Sequence, residues 1–162
     1  MKTMKMKLLA VMTMVGVLSL AGTAAADHLT KSTGTWTLVS IERDGKLLPK
    51  EDIEKITVTV TKAEADALKI VTKQGDKVVT EATAKLAKAD AKTGDKHDQF
   101  DITYTKGYNQ KKSLEGKTLH GLISVDGDTM KVCWHGGKDY PKEHTGAKDS
   151  DCTLRTYKRV KE

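Results

Sequence analysis

The chain has 162 residues, 31% of them charged, with 28 Lys and Arg against 22 Asp and Glu for a net charge of +6. Lysines alternate with acids, as in "KEDIEK" at 50–55 and "KDYPKEHTGAKD" at 138–149, which is the pattern of a mixed, solvated surface. Arginine, the better phosphate fork, stands only at Arg43, Arg155 and Arg159, and aromatics make up 4%, so neither a basic stripe nor a stacking surface is present and nucleic-acid binding is excluded.

The first element in chain order is a leader. Lys2, Lys5 and Lys7 precede the apolar stretch "LLAVMTMVGVLSLAG" and the small-residue run "TAAAD", the pattern of a secretory signal peptide cut between Ala26 and Asp27. The apolar core is shorter than the roughly 20 residues a spanning helix needs, and no later run approaches that length, so no membrane span is expected. No cysteine lies near the cut to accept a lipid anchor. The expectation is a signal peptide over 1–26, one domain over 27–162, and a periplasmic or extracellular address. Three lysines leave with the leader and no acid does, so the charge falls from +6 to +3.

The exported part is punctuated by Gly and Asp. "ITVTVT" at 56–61 sets Ile56, Val58 and Val60 on one face and three threonines on the other, a β-branched alternation of period 2. "FDITYT" repeats it with Phe100, Ile102 and Tyr104, and "TMKVCW" with Met130, Val132 and Trp134. The tight-turn signals "DGD" at 126–128 and "QGDK" at 74–77 join their flanking strands as hairpins. Strands are expected near 35–43, 54–61, 67–73, 77–86, 98–105, 118–125, 129–135 and 152–160, with one helical turn at 49–55 that opens on Pro49. Residues 62–73 are rich in Ala, Lys and Leu, so a short helix competes there with the third strand. Eight sequential antiparallel strands predict an all-β up-and-down barrel, whose interior is filled by side chains or holds one small ligand.

Cys133 and Cys152 form an even pair in an oxidising compartment and predict one disulfide. The rival is a metal site on "CWH", with Cys133, His135 and His144, but Cys-x-His lacks the paired spacing of a structural zinc site.

Several residues also carry a resemblance. "GTW" at 34–36, then "DGK", "GKTLHGLISVDGDTMKVCW" and the closing "YKRVK" resemble an uncharacterised lipocalin-like domain family of exported planctomycete proteins, over about Thr33 to Lys161. The resemblance implies a calycin-type barrel and no catalytic activity. Gly34 and Trp36 occupy the position at the start of the first strand that lipocalins share. There they are expected to close one end of the barrel. The Thr-Asp…Arg turn motif of classical lipocalins has no counterpart here.

Catalytic signatures are lacking. "EGKT" at 115–118 would need a glycine where Lys111 stands, "HGG" at 135–137 has no Gly-x-Ser-x-Gly to serve, and His28, His97, His120, His135 and His144 show no ligand spacing. No enzyme, no metal and no cofactor is expected. The first functional reading is a carrier for a small apolar or amphipathic ligand. Its wall is Phe100, Ile102, Tyr104, Ile123, Met130, Val132 and Trp134, with Tyr104 or His120 giving polarity near the mouth. Val78, Thr80, Ala82, Ala84 and Leu86 are expected to face inward and, being partly small, either let neighbours pack or leave a cavity. The second reading is an envelope structural or protein-interaction module with a filled barrel that meets a partner through loops 106–117 and 135–151. Oligomeric state is open.

Overall fold

A computed structural model describes residues 27–64, 66–87, 97–109 and 112–161. The segment assigned to the signal peptide, with Ala26 of the expected cut, lies outside the described residues. The elements in chain order are helix α1 (Asp27–Lys31), strands β1 (Gly34–Arg43) and β2 (Lys46–Leu47), helix α2 (Lys50–Ile53), and strands β3 (Ile56–Lys62), β4 (Leu68–Gln74) and β5 (Lys77–Leu86). They continue with β6 (Asp98–Lys106), the small pair β7 (Tyr108–Asn109) and β8 (Lys112–Ser113), then β9 (Thr118–Asp126), β10 (Thr129–His135) and β11 (Thr153–Arg159). Each of the eight long strands falls on an expected segment, α2 falls on the expected helical turn, and 68–74 is strand. The Ala and Lys propensity for helix there yields to cross-strand pairing on both sides, with β3 and with β5.

The eight long strands pair antiparallel in the order β11-β10-β9-β6-β5-β4-β3-β1, and β11 pairs again with β1, which closes the sheet into a barrel and leaves no long edge. Two-residue turns set the register. Gly75 (φ 59°) and Gly127 (φ 52°) stand first in the loops between β4 and β5 and between β9 and β10, each followed by an aspartate without positive φ, as in a type II′ turn. Asp44 (φ 53°) and Gly45 (φ 70°) both take positive φ between β1 and β2, as type I′ requires.

Inward residues form one core, among them Trp36, Leu38, Val58, Val60, Phe100, Ile102 and Tyr157. Alternation is interrupted in β1, where Leu38 pairs with Tyr157 and Ser40 with Thr156, which leaves Val39 as an extra, exposed bulge residue. The bulge shifts the phase, so Ile41 and Arg43 turn inward in place of Ser40 and Glu42. A second shift, opposite Thr72 and Lys73 of β4, leaves Val79 as the extra residue of β5: Thr80, Ala82 and Ala84 face inward as expected, but Val79 replaces Val78 on the interior wall, and Leu86 at the strand's end is exposed.

The α1 end of the barrel is shut. The Leu29 amide donates to the buried Asp98 carboxylate at 2.9 Å, and His28 Nδ1 meets the Val125 amide at 3.1 Å. Trp36 is fully buried there and its Nε1 donates to the Ser32 carbonyl at 2.7 Å. The Arg159 guanidinium lies 4.1 Å over the indole and donates to the Thr33 and Lys31 carbonyls. A Cβ at Gly34 would come within 2.9 Å of that guanidinium, and the residue sits at φ 124°, so both space and backbone call for glycine.

Candidate functional site

A cavity of about 830 Å3 occupies the barrel. It reaches from Leu29 and Ser32 at the α1 end to Arg43, Lys117, His135 and Asp151 at the other, where β1, β6 and β10 end and β11 begins. All seven residues expected as a wall, Phe100, Ile102, Tyr104, Ile123, Met130, Val132 and Trp134, line it. Trp36 does not. Space remains because β5 contributes Thr80 and Ala82 to the wall, and because Gly121 lets the Phe100 ring come so close that a Cβ there would lie 2.7 Å from it. The filled interior of the second reading is therefore corrected.

The lining holds polar groups that strict alternation did not single out. Arg155 and Tyr157 stand two apart on β11 and both face the interior, and the bulge in β1 brings in Arg43. Arg43 Nε donates to Thr153 Oγ1 at 3.1 Å. The Arg155 guanidinium stacks 4.5 Å over the Trp134 ring, and its Nε is buried without a hydrogen-bond partner. Among the described residues neither arginine pairs with a carboxylate. Burial raises the Tyr104 phenol above its usual range, Arg155 works against that rise and Tyr157 adds to it, so the three groups share one interior neighbourhood. The signal for this cluster was in the sequence: "LRTY" places an arginine and a tyrosine on one face of a strand whose inner side must be largely apolar.

Outside the barrel the structure departs further from expectation. Residues 136–152 form a strap that folds back over the outer face of β6, β9 and β10. Beneath it Leu122 and Cys133, cross-strand partners pointing outward, are fully buried. Tyr140 donates to Asp101 Oδ1 at 2.6 Å, and its ring lies 4.9 Å from that of His120. Burial and the Asp101 carboxylate push the Tyr140 phenol up to about 12. The His144 ring meets His97 edge-on at 5.3 Å. Farther along, Gly146 accepts from the Gly45 amide at 2.7 Å, and a Cβ there would run into the Glu42 carbonyl. Segment 135–151 is thus no free contact loop: Pro141 and Gly146 are buried, and Tyr140 and His144 half-buried.

His120 does not reach the mouth of the cavity, because it faces outward, where its Nδ1 lies 2.7 Å from Asp101 Oδ1. Cys133 and Cys152 are buried free thiols and form no disulfide. Cys133 donates to the Thr145 carbonyl at 3.3 Å, and burial pushes its thiol up to about 12, opposed by that bond and reinforced by Cys152 beside it. A thiol held protonated is a poor metal ligand or nucleophile. Among the described residues no group of three His, Cys, Asp or Glu side chains is placed to hold a metal ion, and no helix is long and apolar enough to cross a membrane.

Fold and cavity together define a closed eight-stranded antiparallel barrel with one interior chamber. Among solved structures, the chain is similar to the fluorescent protein UnaG. The wild type gives a TM-score of 0.42 at 11% identity over 82% of this chain and 99% of that one, and a point mutant of UnaG 0.42 at 13% over 83% and 99%. No family model and no curated protein matches the chain. The resemblance to a planctomycete domain family is accordingly unsupported as a family, while the barrel it implied is present.

Proposed function

We propose that this protein is an exported, non-catalytic binding protein whose barrel holds one small amphipathic molecule, an apolar body with an anionic head. A cavity of about 830 Å3 that contains a guanidinium with no carboxylate partner carries this reading. Its size lies within the roughly 300–1,000 Å3 of small-molecule sites. Desolvating a charge without a partner is costly, and a ligand carboxylate or sulfonate would supply the partner that the protein withholds from Arg155. Met130, Val132 and Ile123 offer the body apolar contact, and the Trp134 ring holds the guanidinium in place from one side. Export is supported by the basic, apolar and small-residue succession before Asp27, and is checked by N-terminal sequencing of the fractionated protein.

The head group is tested by displacement of a bound anilinonaphthalene sulfonate with a long-chain acid and with the matching alcohol. Arg155→Met is expected to weaken the acid by about 10–100-fold, the value of a charge-assisted hydrogen bond, and to leave the alcohol nearly unchanged. Equal losses for both would remove the anionic head from the reading. No saturable binding of either, with no thermal shift across acids, alcohols and amphipathic metabolites, would remove the carrier.

A further inference from the structure

We infer that the 136–152 strap is an acid-released latch: protonation of His144, seated against His97 near Lys131, lifts the strap off β9 and β10 and loosens the Trp134–Arg155 side of the barrel mouth. The geometry has three parts. His144 is the strap's anchor at mid-wall, with its Nε2 buried and without a hydrogen-bond partner. Its ring centroid lies 5.3 Å from that of His97 in a T-shaped contact, and next to it the Thr145 carbonyl accepts from the Cys133 thiol. Both ends of the strap belong to the mouth, since His135 and Gly136 at one end and Asp151 at the other line the cavity beside Trp134 and Thr153.

The groups facing the ring decide the sign. His97 faces it from the residue before β6, Lys131 from β10, and β9 presents the Leu122 backbone. Burial is the main reason the imidazole drops to about 4; His97 and Lys131 lower it further, and the backbones of Lys131 and Leu122 pull the other way. Among the described residues no carboxylate acts on the ring. The seated ring is therefore accepted neutral. A released ring takes its proton near its ordinary 6.5 and the seated one only near 4, so closure is fully favoured above about pH 6.5 and is lost as pH falls from there towards 4.

Hydrogen exchange of the full mature chain, corrected for the intrinsic pH dependence of exchange, reads the strap directly. Between about pH 7.5 and about pH 4.5 the amides of 136–152 are expected to lose protection by about 10-fold or more, with β3 to β5 still protected. His144→Gln should keep the strap protected at the lower pH, and His144→Lys should open it already at the higher. Lys131→Gln, at an exposed position that does not threaten folding, should blunt the acid response by making the charged ring less costly. Protection that stays flat in the wild type, or an acid response left intact by both glutamine substitutions, overturns the latch. The readout is on the strap itself, so its failure is separate from any failure of the ligand reading.

Discussion

Trp36 and Trp134 are the chain's two indoles, and their surroundings give them opposite work. Trp36 is sealed under Arg159 with its N–H on the Ser32 carbonyl, while Trp134 is half-buried on the cavity wall beneath Arg155. Trp36→Ala should cost roughly 3–5 kcal/mol, and Trp36→Phe, which keeps most of the volume but strands the Ser32 carbonyl, about 1–2 kcal/mol. Urea denaturation checks both, and the Phe variant should bind ligand as the wild type does. Trp134→Phe should move affinity with little change in the urea midpoint, so a stability loss at Trp134 equal to that at Trp36 would contradict the division. At this scale the sequence was legible wherever alternation held, as at Phe100, Ile102 and Tyr104. It failed at Arg43, because one bulge residue, Val39, reverses every face that follows it, and a bulge has no signature in the period-2 pattern.

Among the elements, strands were readable because their turns carry chemistry. Gly75 and Gly127 had to stand where a II′ turn needs positive φ, so hairpins could be placed from dipeptides alone. The strap was not readable, since an irregular segment has no period to reveal which wall it covers. Its trace lay elsewhere, in Leu122 and Cys133, an apolar pair on strand faces that alternation assigned to solvent. Both cysteines are buried with that outer cluster, and the even count that predicted a bridge reports composition, while a bridge needs geometry the thiols do not have. Helix α1 went unread as well. Five residues are too few to stand alone, and its seat is the Asp98 carboxylate on the Leu29 amide. Asp98→Ala should undock it. Exchange at 27–33 would rise and stability fall by about 1–3 kcal/mol, whereas unchanged protection there would mean that Leu29 packing alone holds the helix.

For the whole molecule the question left by the sequence was whether eight strands enclose a packed core or a chamber, and alternation is silent on it. Emptiness depends on summed side-chain volume against barrel radius, so it emerges from Ala82, Thr80 and Gly121 acting together with one phenylalanine in the entire chain. A chamber is a trade: apolar lining without partner atoms forfeits packing, and a ligand restores it by mass action, worth about 2.7 kcal/mol at a hundredfold excess over its Kd. Ala82 is the residue through which to reverse that trade, because it is buried and lines the cavity. Ala82→Leu places three more carbons into existing space. The ligand-free variant should melt within a few degrees of the wild type or above it, since filling a void avoids the strain that extra methylenes cause in a packed core. The ligand-induced rise in Tm should shrink or vanish, with affinity down by about 10-fold or more. A variant that melts well below the wild type yet keeps its ligand shift would show that the space at Ala82 is already spoken for by the core and that the molecule binds elsewhere.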